Sequence, residues 1–269
     1  MSAEETVRQA LSRGCLYYIL STLFPYPDEK TLSGLDWEEA GEAVALLGNP
    51  AGLKEAFESL KRSLKPADAL RSDFSKVFGY TLQSDCSPYE TQYGGGGYAG
   101  ANSQLSGAQV FDQVQTLGDI AGFYGAFGLD VSDQAKERVD HISIELEFMA
   151  FLAYKEAYAM TSSDGKDKAW LCRDAQVKFV DEHLGKWGPI FTTRLEEAAK
   201  GGFYGKLARL TGMFLALEVE TLGVQPVQVE GLAPTAPEAE ALCGSCETKD
   251  ACFSEGGGGS WGGAARSVF

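Results

Sequence analysis

Hydrophobic positions recur at helical intervals along most of this chain. Val7, Leu11, Leu16, Ile19, Leu20 and Leu23 mark a first helix, which should stop before Pro25, because the residue preceding a proline is pushed out of the helical region. Pro25 to Glu29 (PYPDE) reads as a turn, since two prolines this close do not fit inside a helix. Asp36 is placed to cap a short helix through about Leu47, ended by Gly48, Asn49 and Pro50. A third helix is expected from about Ala51 to Leu64. A fourth starts at Pro66, with Leu70, Phe74, Val77 and Phe78 on its apolar side.

Residues 79–107 break the rhythm. They carry Ser87-Pro88-Tyr89-Glu90 and four consecutive glycines, Gly94 to Gly97. A loop of this length inside a helical domain is uncommon unless it has a task. The glycine run lacks the Lys-Ser/Thr of a phosphate loop and follows no strand, so it reads as a hinge. Helical spacing resumes from about Gln109 to Phe127. Ser132 is placed to cap the longest segment, about Asp133 to Met160, where Val139, Ile142, Leu146, Met149, Leu152 and Ala153 form so wide an apolar face that the helix should be central. Asp164-Gly165 marks a turn, and further helices are expected at about 167–183, 187–200 and 203–222. No stretch alternates with period two. The pattern therefore predicts an all-α fold: a single-domain bundle of about nine helices over residues 1–223, with a long mid-chain loop. Residues 224–269, rich in Pro, Gly and Cys, form a poorly packed tail. Within it Gly256 to Ser260 matches a common engineered linker, so Trp261 to Phe269 contribute nothing to the predicted fold.

Composition narrows the function. With 23 basic and 38 acidic residues the net charge is −15. That disfavours nucleic acid, whose binders neutralise phosphates with cations, and an anionic membrane surface; it favours a cationic partner. No apolar run reaches the roughly 18 residues of a membrane span, and the charged N-terminus lacks the apolar core of a secretory signal. A cytoplasmic location is expected, so the six cysteines read as thiols or metal ligands before disulfides. Cys15 falls in an apolar helical pattern and reads as a buried core thiol. Cys243, Cys246 and Cys252 have C-x2-C-x5-C spacing: two thiolates able to grip one zinc ion or iron–sulfur cluster, and a third nearby. A fourth ligand would come from Cys86, Cys172, His183 or an outside group. Redox pairing, or no role, are the alternatives.

Glu137 to Met149 (ERVDHISIELEFM) is the most unusual stretch. If helical throughout, it puts His141 and Glu145 on one face, and sets Glu137, Asp140, Glu145 and Glu147 among apolar groups, where carboxylates are costly unless paired. A solvated acidic stripe and an anionic pocket for a cation both remain open. In the mid-chain loop, Ser87 to Tyr93 (SPYETQY) offers two tyrosines and a carboxylate, suited either to peptide contact or to pinning the loop onto the core.

Taken as a set with YYILSTLFPYPDE near the start and DHISIELEFMAFLAYKE, these segments resemble the TorD/NarJ/DmsD-type redox-enzyme maturation chaperones over roughly residues 5–222. The resemblance implies an all-helical cytoplasmic protein that is not an enzyme and requires no cofactor. It would bind the twin-arginine signal peptide, or an equivalent N-terminal segment, of the catalytic subunit of a molybdopterin-dependent oxidoreductase. It would support molybdenum-cofactor insertion and delay export, as a monomer or a helix-swapped dimer. The family's loop motif falls on Ser87, Pro88, Tyr89, Glu90 and Tyr93, and its acidic element on Glu137, Asp140 and His141, followed by Glu145. Many relatives carry a proline just before the Asp-His pair; Arg138 and Val139 stand there here, which would let the helix begin earlier. Guanidinium groups pair bidentately with carboxylates, so Glu137, Asp140 and Glu145 are the expected anions, with Tyr89 and Tyr93 as the aromatic cover. On this reading a protonated His141 would loosen the complex in mild acid. The alternative function is a metal- or Fe–S-binding redox or delivery protein acting through the C-terminal cysteines.

Overall fold

In a computed structural model the structure describes residues 2–48, 52–79, 86–93, 106–131 and 137–229. These form ten α-helices: α1 (Ala3–Leu23), α2 (Glu29–Ser33), α3 (Trp37–Leu46), α4 (Leu53–Arg62), α5 (Ala67–Phe78), α6 (Gly107–Ala126), α7 (Ile142–Met160), α8 (Lys166–Phe179), α9 (Gly185–Ala198) and α10 (Phe203–Leu222). The described residues contain no strand, only one isolated antiparallel bridge between Tyr89 and His141. The all-α expectation holds; the short α2, begun by Asp28 accepting from the Thr31 amide, was hidden behind the prolines of the turn before it. Gly94 to Gly97, Ser132 and the tail from residue 230 lie outside the described residues.

The bundle is organised around the pairing of α1 with α7. α1 starts with a reciprocal cap between Ser2 and Glu5 and buries Leu16, Tyr17, Ile19 and Leu20. α7 is apolar nearly all round and buries Ile142, Ile144, Leu146, Phe148, Met149 and Leu152 completely, each such side chain stabilising the fold by about 1.5–3 kcal/mol. The two helices approach closely at Gly14, where a Cβ would sit 3.0 Å from the Tyr154 ring. α8 flanks α7, α3 packs on α1, and α10 packs on α9 and α4.

The core also holds an ion cluster. Arg13 of α1 donates from Nε and Nη2 to Glu218 of α10 at 2.7 and 2.6 Å, and from Nη2 to Gln176 of α8 at 2.7 Å. Glu156 of α7 lies 3.5 Å from Arg13 and accepts from Gln176 at 2.7 Å. Four helices are thereby tied together by buried groups that satisfy one another.

Two boundaries differ from the sequence reading. Over the described residues 137–141 the expected helix is absent and α7 starts at Ile142, so Glu137, Asp140 and His141 do not share helical faces with Glu145. Residues 137–141 instead spend their hydrogen bonds on the loop at 88–91, and the His141 ring takes over as cap, its Nδ1 accepting from the Ser143 amide at 3.1 Å. The longest helix is consequently α1, with 21 residues. The break expected after residue 183 is absent, because a single π turn, Val180–Leu184, carries α8 directly into α9. A Cβ at Gly185 would meet the Val180 carbonyl oxygen at 2.3 Å and Pro226 Cγ at 2.6 Å, so only glycine fits beside the widened turn.

Candidate functional site

The mid-chain loop and the segment before α7 are zipped together. Glu90 N–H donates to the Asp140 carbonyl at 3.0 Å, and Ile142 N–H to the Pro88 carbonyl at 2.8 Å. A 3-10 turn, Glu90–Gln92, follows the bridge. Tyr93 is buried against Trp187 and Phe191, and its hydroxyl donates to the Ser87 carbonyl at 2.7 Å, closing the loop on itself. Gln113 of α6 reaches the Thr91 carbonyl at 3.4 Å. The loop therefore sits between α6, the start of α7 and α9.

Asp140 is wholly buried and fully engaged. Its carboxylate accepts from Arg138 Nε at 2.9 Å and Nη2 at 2.6 Å, and from the Thr91 hydroxyl at 2.7 Å and amide at 3.2 Å. The same guanidinium lies 4.9 Å from the centre of the Tyr89 ring. A resident arginine thus already holds the bidentate and stacking positions expected for an incoming one.

Glu145 is also fully buried. Its Oε2 accepts from the Trp187 indole at 3.0 Å while Oε1 has no hydrogen-bond partner among the described residues. Burial, and next the negative charge of Glu90, push its carboxyl well above the usual range, so it is held as the neutral acid. Glu145 is a buried acid, not a surface anion.

Glu137 is the accessible carboxylate of the three, its side chain 27% exposed. It accepts from the Tyr89 hydroxyl at 2.8 Å, and burial raises its titration somewhat against that bond. Burial of the phenol, and next the charge of Glu137, hold Tyr89 protonated as the donor. His141 is buried beneath Tyr89. Burial, with a smaller contribution from Arg138, lowers its pKa to about 3. The mild-acid switch expected at His141 is therefore corrected: this imidazole is neutral throughout the physiological range.

The structure brings together Ser87, Pro88, Tyr89, Glu90, Glu137, Asp140 and His141 around one bridge, with Tyr93 and Glu145 beneath it in the core. Sequence reasoning passed over Arg138 as the partner of Asp140, although its adjacency was visible. It also passed over Thr91, inside the quoted motif, and Trp187, whose indole finds Glu145 only through the fold. Beside the loop, α6 exposes Val110, Phe111 and Val114, which stand three and four residues apart on one helical face. Cys15, Cys86 and Cys172 are buried thiols outside any disulfide, and burial pushes the Cys15 thiol up to about 11, which keeps that group from acting as a thiolate. Cys243, Cys246 and Cys252 lie outside the described residues. No helix among the described residues is long and apolar enough to cross a membrane.

Residues 47–193 match the family described as nitrate reductase delta subunit. The chain is 26% identical over 229 residues to the chaperone protein TorD of Aeromonas salmonicida, covering 82% of this chain and 96% of that protein. It is 25% identical to the perchlorate reductase assembly chaperone protein of Dechloromonas aromatica, covering 81% of this chain and 93% of that protein. It is 34% identical over 113 residues to the selenate reductase assembly chaperone protein of Thauera selenatis, covering 42% of this chain and 56% of that protein. These relatives are named as chaperones or assembly proteins, not as enzymes. With more than half of its length inside the family match and the Tyr89–His141 bridge joining the two motifs that carry the resemblance, the chain belongs to the nitrate reductase delta subunit family of TorD/NarJ-type maturation chaperones.

Proposed function

We propose that this protein is a non-enzymatic, cytoplasmic chaperone for the catalytic subunit of a molybdopterin-dependent reductase. It would bind that subunit's twin-arginine signal peptide, or an equivalent N-terminal segment, and hold the subunit until its cofactor is inserted. The observation that carries the reading is the bridged loop itself, with a tyrosine, an accessible carboxylate and an exposed apolar helical face beside it. A twin-arginine segment offers guanidinium groups followed by an apolar run. On the present geometry its arginines have the outer edge of Glu137 to meet, and the Tyr89 ring only where Arg138 gives way, while its apolar part has Val110, Phe111 and Val114 of α6. The net charge of −15 steers a basic segment toward this surface. Glu145 shapes the site from below, and Asp140 meets the client only where Arg138 is displaced from it.

Calorimetric titration with a twin-arginine peptide and its twin-lysine counterpart tests the reading. Selective binding of the arginine form, weakened by Glu137→Gln, is the expected result. Equal binding of both forms, or of neither, overturns it. The alternative, metal or cluster delivery through Cys243, Cys246 and Cys252, is favoured instead by stoichiometric zinc or iron that leaves with Cys→Ser changes at these positions.

A further inference from the structure

On the flank of the same loop, three metal-ligating side chains converge that the chaperone reading does not use. We propose that Asp119 of α6, with Glu182 and His183 of the π turn, forms a binding site for a divalent transition-metal ion of the zinc class. One ligand atom from each residue lies within 4.8 Å of the other two.

The histidine is what raises this cluster above a pair of exposed acids. His183 is only 3% exposed. Its ring is wedged between Phe123, with centroids 5.4 Å apart, and Phe179, at 5.2 Å. Nδ1 lies 3.1 and 3.2 Å from the two oxygens of Glu90. A carboxylate can only accept, so Nδ1 carries the hydrogen, and in the neutral ring that metal ligation requires the lone pair is on Nε2. That nitrogen is buried and has no hydrogen-bond partner among the described residues; the Asp119 carboxylate is 3.5 Å away. A buried acceptor without a donor is disfavoured, and a metal ion satisfies it. Carboxylate–histidine–metal relays fix the tautomer and orientation of zinc-ligating histidines in this way, with Glu90 supplying the carboxylate here.

The local fold supplies the rest. π turns are rare and recur at functional sites; this one sets Glu182 and His183 beside Asp119. Metal–ligand bonds of about 2.0–2.2 Å hold neighbouring donors within roughly 4 Å. The cluster therefore closes by rotation of two exposed carboxylates onto an imidazole that stays in place. One nitrogen and two oxygens form a borderline donor set suited to Zn2+ and its neighbours, not to Ca2+, which takes oxygens alone. Because Glu90 belongs to the bridged loop, an ion at His183 would also stiffen that loop.

The test uses the untagged full-length chain with Cys243, Cys246 and Cys252 changed to serine, so that no tail thiolate competes. Zinc chloride is titrated in by calorimetry and, in parallel, by NMR of the imidazole rings. The chain has only two histidines, so the rings report separately. One equivalent of zinc is expected to bind, shifting the His183 ring and leaving the buried His141 ring unmoved. Asp119→Asn and Glu182→Gln, both on the surface and neutral for folding, are each expected to weaken binding at least about tenfold. Absence of saturable binding, binding that these variants leave unchanged, or a titration that does not move the His183 ring overturns the site.

Discussion

Glu145 gives the sharpest test of the electrostatic account, because the sequence alone makes it a ligand for a cation and the structure makes it a buried neutral acid. Its carboxyl is fully enclosed and faces Glu90, and it accepts from the Trp187 indole at 3.0 Å. Glutamine reproduces the shape and the acceptor for Trp187 while removing the proton equilibrium. Glu145→Gln should therefore change stability by less than about 1 kcal/mol near pH 5. The sign of the pH dependence comes from the raised folded pKa: the native state holds a proton that the unfolded chain releases above the ordinary value of 4.5. Wild-type stability from this group is fully present below that value and is lost as pH rises toward the folded pKa, at up to about 1.4 kcal/mol per pH unit. The variant lacks this slope and should become the more stable protein by pH 8. Urea unfolding followed by tryptophan fluorescence at pH 5 and pH 8 measures both limbs. Glu145→Ala, which strands the indole donor, should cost about 1–3 kcal/mol at either pH, before any cavity term. A Glu145→Gln protein clearly less stable than wild type at pH 8 would refute the neutral-acid assignment and restore a charged, paired carboxylate.

His141 titrates in the opposite sense: with its folded pKa lowered to about 3 from 6.5, its contribution is lost as pH falls below about 6.5, and His141→Asn, which can still cap α7, should flatten the stability profile between pH 6.5 and 3. Glu218→Ala strands the buried Arg13 guanidinium and should cost about 3–5 kcal/mol, seen as a melting-temperature drop on the order of 10 °C. A loss under 1 kcal/mol would mean that the cluster is hydrated. Gly165→Ala places a Cβ 1.7 Å from the Ala159 carbonyl oxygen, a backbone clash that should cost more than about 2 kcal/mol, whereas Gly118→Ala, with nothing within 4 Å, should be stabilising by several tenths. Arg138→Gln vacates the guanidinium position on Asp140 and Tyr89. If the client's arginine uses that position, the variant binds a twin-arginine peptide more tightly than wild type, and unchanged affinity would place the arginine at Glu137 alone.

The helices were legible in the sequence because their signals are local. Asp36 caps α3 as its position before an apolar run suggests, and Pro25 ends α1. The start of α7 was not legible, because it is set by partners some fifty residues away. Glu137 to His141 have helix-compatible neighbours, but Asp140 and Ile142 find hydrogen bonds at Thr91 and Pro88. A long-range pairing therefore overrides local periodicity. The same limit explains the reading of the acidic residues. Type and spacing assigned Glu137, Asp140 and Glu145 one common role. Burial and partners divide them into an accessible acceptor, a structural ion pair and a neutral acid.

That division bears on how such a site can discriminate. A carboxylate exposed to water gains little from a single guanidinium, so Glu137 alone would not separate arginine from lysine. Arg138 shows what the loop does favour: a planar guanidinium that meets a carboxylate through two nitrogens while stacking 4.9 Å from the Tyr89 ring. Lysine can make neither the fork nor the stack. The chain carries its own example of the recognition it would offer a client. An arginine at this position blocks the Asp140 carboxylate and holds the Tyr89 face. A client's arginine must then either displace it or bind over the outer edge at Glu137. Displacement predicts slower association than charge steering alone would give, and a rate that rises in Arg138→Gln. Edge binding predicts a steered, salt-sensitive rate that the substitution leaves alone. Stopped-flow association at two salt concentrations, on wild type and Arg138→Gln, separates these routes even where the final affinities coincide.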